Sequence, residues 1–232
     1  MDADIALVGR LLQQGDVFVD AGAHVGLFTL VAAARVGRHG AVIAFEPGPW
    51  ARTILTRNIR VNAFDWVRVV PAALAEKNGL GEFAVYGGDA AALSSFAPPE
   101  ELSGGCIRQV PTVTLDIALT GKERARLKLV KFDLEGAEVR ALQGAGMVLR
   151  EPGPDFLVEV SADNLGRQGA TVEQLAAVFR AAGYQPFLTE LQAGERLTLY
   201  PAPNDLRGID RPNVFMTRDI GCVARSGIAV CA

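Results

Sequence analysis

The chain is 232 residues long, half of it hydrophobic, with 23 basic and 26 acidic residues giving a formal net charge of −3. Such a length suits one α/β domain spanning 1–232, and no apolar run reaches the ~20 residues that cross a bilayer. The charges are scattered without a basic block to track phosphates, and Met1 to Gln14 lacks the basic start of a signal peptide. A soluble cytoplasmic protein with neither a nucleic-acid nor a membrane partner is expected, homo-oligomerisation being left open. Cys106, Cys222 and Cys231 are odd in number and show no Cys-x-x-Cys spacing, so a disulfide framework or a zinc site has nothing to build on.

Within residues 1–14, Ile5, Val8, Leu11 and Leu12 recur at helical spacing, which predicts an amphipathic helix beside the first strand. Val17 to Val19 is an apolar strand core ending in Asp20 and a glycine-rich turn, and Leu27 to Val36 follows as a buried helix. A second strand, Ala41 to Phe45, ends at Glu46, where Pro47-Gly48-Pro49 turns the chain and sets a proline at the start of a helix to about Val61. The third strand, Val67 to Val70, runs into Pro71-Ala72-Ala73. Repeated strand–helix units predict a doubly wound, Rossmann-like α/β fold with a mostly parallel sheet.

Between 76 and 126 the alternation breaks. Gly79, Gly81, Gly87, Gly88, Gly104, Gly105 and Pro98-Pro99 punctuate the strand-like pieces Glu82 to Tyr86 and Val110 to Leu115, a glycine-rich β insertion or lid. A strand from Leu127 to Asp133, a helix from Ala137 to Leu149 and a strand from Phe156 to Val160 restore it. Thr171 and Gln174 form a capping box for a helix carrying Val172, Leu175, Phe179 and Ala182 and stopping at Gly183. Strands near Tyr184 to Leu188, Arg196 to Tyr200 and Asn213 to Met216 are expected to close the sheet with an antiparallel pair.

In an open parallel sheet the ligand lies across the carboxyl ends of the strands. Here those ends carry Asp20, Glu46, Asp133 with Glu135 beyond it, and Glu159. Asp20, set just before the glycine turn, would repel a pyrophosphate seated on that turn and helix start, which disfavours a nucleotide-dependent oxidoreductase. The same charge attracts the sulfonium and ammonium of S-adenosylmethionine, and Gly22 and Gly26 let the backbone approach it. Glu46, 26 residues after Asp20, suits an acid that accepts both hydroxyls of a ribose. In LKLVKFDLEGAE, Leu127 to Glu138, alternation would project Lys131, Asp133 and Glu135 on one side. Three ionisable groups there demand partners, which means either a site or an internal ion pair of Lys131 with a carboxylate. Glu138 reads as a favourable charge in the first turn of a helix. His24 is open to a general-base role or to bonding the backbone or the cofactor carboxylate, while His39 lies in a solvated turn. The acids match no metal-ligand spacing, so no metal is expected.

Four segments, VFVDAGAHVG, AFEPGPW with the following NIRVN, VKFDLEGAE and FLVEV, resemble the FkbM-type S-adenosylmethionine-dependent methyltransferases over roughly Gly15 to Val160. The resemblance implies Asp20, Gly22 and Gly26 as the cofactor loop, Glu46 as the ribose acid, and Asp133 and Glu135 as catalytic residues beside the transferred methyl. The full cofactor-binding set is then Asp20, Gly22, Ala23, His24, Val25, Gly26, Glu46, Pro47 and Ala73. His24 stands where the family often has asparagine. The implied reaction is O-methylation of a hydroxyl on a sugar or macrocyclic natural product. N-methylation of a small molecule and a non-catalytic ligand-binding protein are the alternatives.

Overall fold

A computed structural model describes residues 2–98, 104–150, 153–192, 196–209 and 213–231, so Pro99 lies outside the described residues. Its first half alternates as α1 (Ala3–Leu11), β1 (Val17–Ala21), α2 (Leu27–Val36), β2 (Ala41–Phe45), α3 (Pro49–Val61) and β3 (Val67–Val70). The insertion carries β4 (Ala73–Leu74), β5 (Gly79–Val85), a 3-10 turn at Gly88–Leu93, β6 (Cys106–Val113), α4 (Leu115–Ala118) and α5 (Gly121–Ala125). Then come β7 (Leu127–Phe132), α6 (Glu138–Gln143), β8 (Asp155–Glu159), α7 (Ala162–Arg167) and α8 (Val172–Ala181). The chain closes with β9 (Gln185–Gln192), β10 (Arg196–Pro201), β11 (Asn213–Thr217), α9 (Ile220–Arg225) and β12 (Ala229–Val230).

Nine strands form the central sheet in the order β12-β10-β9-β11-β8-β7-β1-β2-β3. From β3 to β8 the neighbours are parallel; β11 is antiparallel to both β8 and β9, and β10 is antiparallel to β9. Alternation along the strands sorts the core into two layers. Val17, Val19, Val130 and Phe156 face α6 and α8, whereas Phe18, Leu129, Leu157 and Phe215 face α1 and α2. Local chemistry sets the helix ends: Asp2 accepts from the first N–H groups of α1, Pro49 opens α3, and the Thr171/Gln174 capping box opens α8 as expected.

Two expectations change, and the expected β insertion forms a sheet of its own. The helix expected from Ala137 to Leu149 is only α6, because a Cβ at Gly144 would lie 2.3 Å from the Ala75 carbonyl oxygen, so the chain turns where that backbone crosses. Ala73 belongs to a second sheet, β4-β6-β5, whose β5–β6 hairpin packs Phe83, Val85 and Val110 against Phe96. The last strands are three antiparallel neighbours rather than a pair, and β12 adds parallel to β10. Among the described residues no helix is long and apolar enough to cross a membrane.

Phe156 is fully buried, with the rings of Phe132, Phe179 and Tyr184 at 5.7, 5.3 and 5.4 Å. Phe156→Ala is expected to cost about 3–5 kcal/mol and to lower Tm by roughly 6–20 °C. A calorimetric shift below about 3 °C would show that this layer repacks freely.

Candidate active site

The turn after β1 is stitched to the strands on both sides. Gly22 and Ala23 donate their N–H groups to the Phe45 carbonyl of β2 (3.1 and 3.0 Å), and Asp133 donates to Ala21 (3.1 Å). Gly22 sits at φ +79, and a Cβ there would fall 1.9 Å from the Asp133 carbonyl oxygen, so only glycine passes. His24 has φ 48, a left-handed conformation in which histidine and asparagine are over-represented, so histidine keeps the loop geometry. Asn58 of α3 donates to the Val25 carbonyl (2.9 Å) and holds the loop from outside. Gly26 opens α2 without a capping side chain or a first-turn acid, which leaves the first N–H groups open to an anionic group.

Glu46 is buried and fixed through both oxygens: Oε2 accepts from His24 N (2.8 Å) and Oε1 from Gly48 N (2.7 Å). Each oxygen retains acceptor capacity for a hydroxyl. Arg52 Nη1 donates to the carbonyls of Glu46 and Pro47 (3.0 and 2.7 Å) and braces the turn. Burial pushes the Glu46 carboxyl up to about 7 despite those N–H donors.

Between Glu46 and the end of β7 lies a cleft of about 180 Å³ that opens to solvent. Gly22 forms its floor, Ala72 and Ala73 one wall, and Phe83 and Phe96 of the insertion its roof. Of the residues expected from the sequence, Gly22, His24, Glu46, Pro47, Ala73, Asp133 and Glu135 line it. Ala23, Val25 and Gly26 shape the loop behind, and Asp20 lies beneath.

Asp20 follows Phe18 on the α2 face, 1% exposed, and its Oδ2 accepts from Thr29 Oγ1 (2.6 Å) while Oδ1 has no partner. It stands in register with Lys131, which is 2% exposed, pairs with Asp133 at 2.9 Å and lies over the Phe28 ring. Desolvation alone would push the Lys131 ammonium down, but Asp133 and Asp20 outweigh it and hold it above its ordinary value. For Asp20 burial wins over Lys131 and Thr29, raising its pKa. The internal ion pair anticipated for Lys131 therefore exists, and it coexists with the cleft.

Glu135 does not continue the strand alternation. β7 ends at Phe132, and the chain turns through Glu135 at φ 53 and Gly136 at φ 97. Glu138 lies in the first turn of α6 as expected, but it is 1% exposed and reaches back to accept from Leu134 N (2.8 Å) and Gly136 N (3.4 Å), fixing the loop that presents Glu135. Asn164 Nδ2 on α7 donates to Glu135 Oε2 (3.0 Å) and Glu159 Oε1 (3.4 Å), and Arg167 donates to Asn164 Oδ1. Burial and Asp133 push Glu135 up to about 7; burial with Asp133 and Glu135 pushes Glu159 up to about 8. Asp133, Glu135 and Glu159 each offer an oxygen within 4.8 Å of the others, a spacing that could also bracket a divalent cation. Asn58, a member of the NIRVN segment, had a local signal, whereas Asn164 and Arg167 come from a distant helix whose sequence announces nothing.

A glycine turn beside a fixed carboxylate, with further carboxylates lining the same cleft on a mostly parallel Rossmann-like sheet, is the arrangement of the S-adenosylmethionine-dependent methyltransferases. A model of the methyltransferase FkbM domain matches residues 20–186, and the chain belongs to that family. Among solved structures, the FkbM methyltransferase of Methylobacillus flagellatus is similar at a TM-score of 0.53 and 14% identity, over 88% of this chain and 44% of that one. The chain thus spans less than half of that protein. A Clostridium thermocellum protein described as an rRNA methylase gives 0.51 and 15% over 92% and 90% of the two chains. A Streptococcus mutans protein described as a methyltransferase, in complex with S-adenosylhomocysteine, gives 0.51 and 10% over 92% and 93%. At these identities the likeness is one of fold. No protein of curated function matches the chain by sequence.

Burial pushes Glu138 up to about 7, above the ordinary 4.5. The folded state then binds more protons than the unfolded state between those values, so this group's contribution falls as pH rises through the window. Glu138→Gln keeps an acceptor for Leu134 and Gly136 without the charge, so its Tm relative to the parent is expected to climb from pH 5 to pH 8. A pH-independent difference would mean that the ionised Glu138 is well accommodated.

Proposed function

We propose that the chain transfers a methyl group from S-adenosylmethionine to a hydroxyl of a small-molecule acceptor, a sugar or a macrocyclic natural product. The observation that carries this reading is Glu135, a half-buried carboxyl raised to about 7 by burial and Asp133, on the cleft that Glu46 also lines. An alcohol is a weak nucleophile and needs a base as it attacks, and a base is most effective with a pKa near the working pH. The acidic cleft and the net charge of −3 disfavour a nucleic-acid acceptor, since both repel phosphates.

S-adenosylmethionine, when bound, supplies an electrophilic methyl on a cationic sulfur. Glu46 would accept from the ribose hydroxyls, with Pro47 and Ala73 beside the adenosine and Gly22, Ala23, His24, Val25 and Gly26 forming the turn below. The open start of α2 suits the amino-acid carboxylate. Asp20, buried behind the loop in register with Lys131, would attract the sulfonium and ammonium and repel a pyrophosphate in its ionised form. Asp133, held by Lys131, and Glu135 flank the acceptor. Glu135 would take the proton of the acceptor hydroxyl, whose oxygen would need to lie about 3 Å from the methyl to receive it as the S–CH₃ bond breaks and S-adenosylhomocysteine is released.

Calorimetry is expected to show binding of S-adenosylmethionine and S-adenosylhomocysteine without binding of NAD, and Glu46→Gln should weaken both by about 1–3 kcal/mol. Equal affinity in the variant would reduce Glu46 to a brace for the turn.

With an acceptor found by screening methyl glycosides and hydroxylated macrocycles against methyl-labelled S-adenosylmethionine, Glu135→Gln should lose about 10²–10⁴ in kcat while cofactor affinity is kept. Activity is expected to survive EDTA. Loss on chelation with recovery in Mg²⁺ would reassign Asp133 and Glu135 as metal ligands.

A further inference from the structure

Glu135 holds a left-handed backbone conformation that a non-glycine residue keeps only where its surroundings enforce it. On one side Glu138 fixes the loop. On the other, a Cβ at Gly136 would lie 2.1 Å from the Asn164 carbonyl oxygen, so the loop and α7 abut without slack. The Asn164 amide has a defined orientation, because its oxygen accepts from Arg167 and its nitrogen must then face the Glu135 and Glu159 carboxylates. Arg167 Nε also donates to the Ala97 carbonyl (3.3 Å), in the segment that carries the roof residue Phe96. Phe96 itself is held by the Phe83 ring at 5.1 Å and by the Arg140 guanidinium at 4.6 Å.

We propose that Asn164 and Arg167 are positioning residues that couple the seating of the roof at Ala97 to the orientation and ionisation of Glu135. This rests on the reading of Glu135 as the base. With the roof seated, Arg167 bridges Ala97 and Asn164, and Asn164 offers its N–H group to the carboxylate that must take the proton. With the roof displaced, Arg167 loses one of its two acceptors, Asn164 is free to turn, and Glu135 is left against Glu159 without a shared donor. The charges facing Glu135 are Asp133 and Lys131 from β7 and its end, Glu159 from β8 and Arg167 from α7. Burial and Asp133 push its pKa up, while Arg167, the Asn164 amide and Lys131 pull it down.

The test needs no acceptor. Carboxyl ¹³C resonances of glutamate are followed against pH in the full chain saturated with S-adenosylhomocysteine, Glu135 being assigned by its loss in Glu135→Gln. Asn164→Ala is expected to raise the Glu135 midpoint by roughly half to one pH unit. Arg167→Gln should raise it in the same direction and also speed amide hydrogen exchange around Ser94 and Ala97, a pairing that a merely structural loss would not produce. Arg167 is only partly buried at the end of α7, so its variant keeps the test decisive if Asn164→Ala fails to fold. An unmoved midpoint in either folded variant, or a shift in Arg167→Gln with roof exchange unchanged, overturns the coupling. Failure of the base reading would register elsewhere, as full turnover by Glu135→Gln.

Discussion

The passage of Gly22 against the backbone of Asp133 is the contact on which the cleft depends, because it lets the ends of β1 and β7 approach more closely than side chains would permit. A methyl group at position 22 would meet the Asp133 carbonyl oxygen at 1.9 Å, so the turn would have to lift off the strand. Lifting it would break the bonds from Gly22 and Ala23 to Phe45, and with them the donor at His24 N that orients Glu46. Glu46 and the carboxylates at and beyond the end of β7 are thus referenced to one another through a single glycine, although they belong to strands on opposite sides of β1.

Charge follows the same economy of placement. Among the described residues Lys131 is the one fully buried cation, and it serves Asp20 and Asp133 together: in register with the first, bonded to the second. Removing one member of such a buried set leaves an uncompensated charge, which typically costs several kcal/mol. Glu135 and Glu159 interact with Lys131 through charge alone, and burial raises both, as it raises Glu138.

Much of this could be read from the chain itself, because strand, turn and helix are encoded locally. The acids at the ends of β1, β2 and β7 and the glycines after β1 emerge from periodicity and spacing alone. The side on which Asp20 falls was not read from the sequence, because it depends on which layer Phe18 joins, and the structure sends both toward α2. Other features arise only from contacts distant in sequence. The apolar residues up to Leu149 extend the helical pattern of α6, yet the Ala75 backbone arriving at Gly144 ends the helix. Asn164 meets Glu135 across 29 residues and Arg167 meets Ala97 across 70, and no local pattern marks either pair. Glu138 resembles an ordinary helix-start acid until the loop before it folds back over its carboxylate.

The position of β11 has a consequence for how the molecule is made. This strand is synthesised after β9 and β10 but is inserted between β8 and β9, and among the described strands it alone joins the parallel half of the sheet to its outer antiparallel part. Until residues 213–217 emerge from the ribosome, β8 and β9 each present an open edge, the kind of surface that invites pairing with another chain. The sheet cannot close progressively from its amino-terminal side. Its completion waits on a late, long-range insertion, the step at which a nascent chain of this topology is most exposed to aggregation and most in need of chaperone protection.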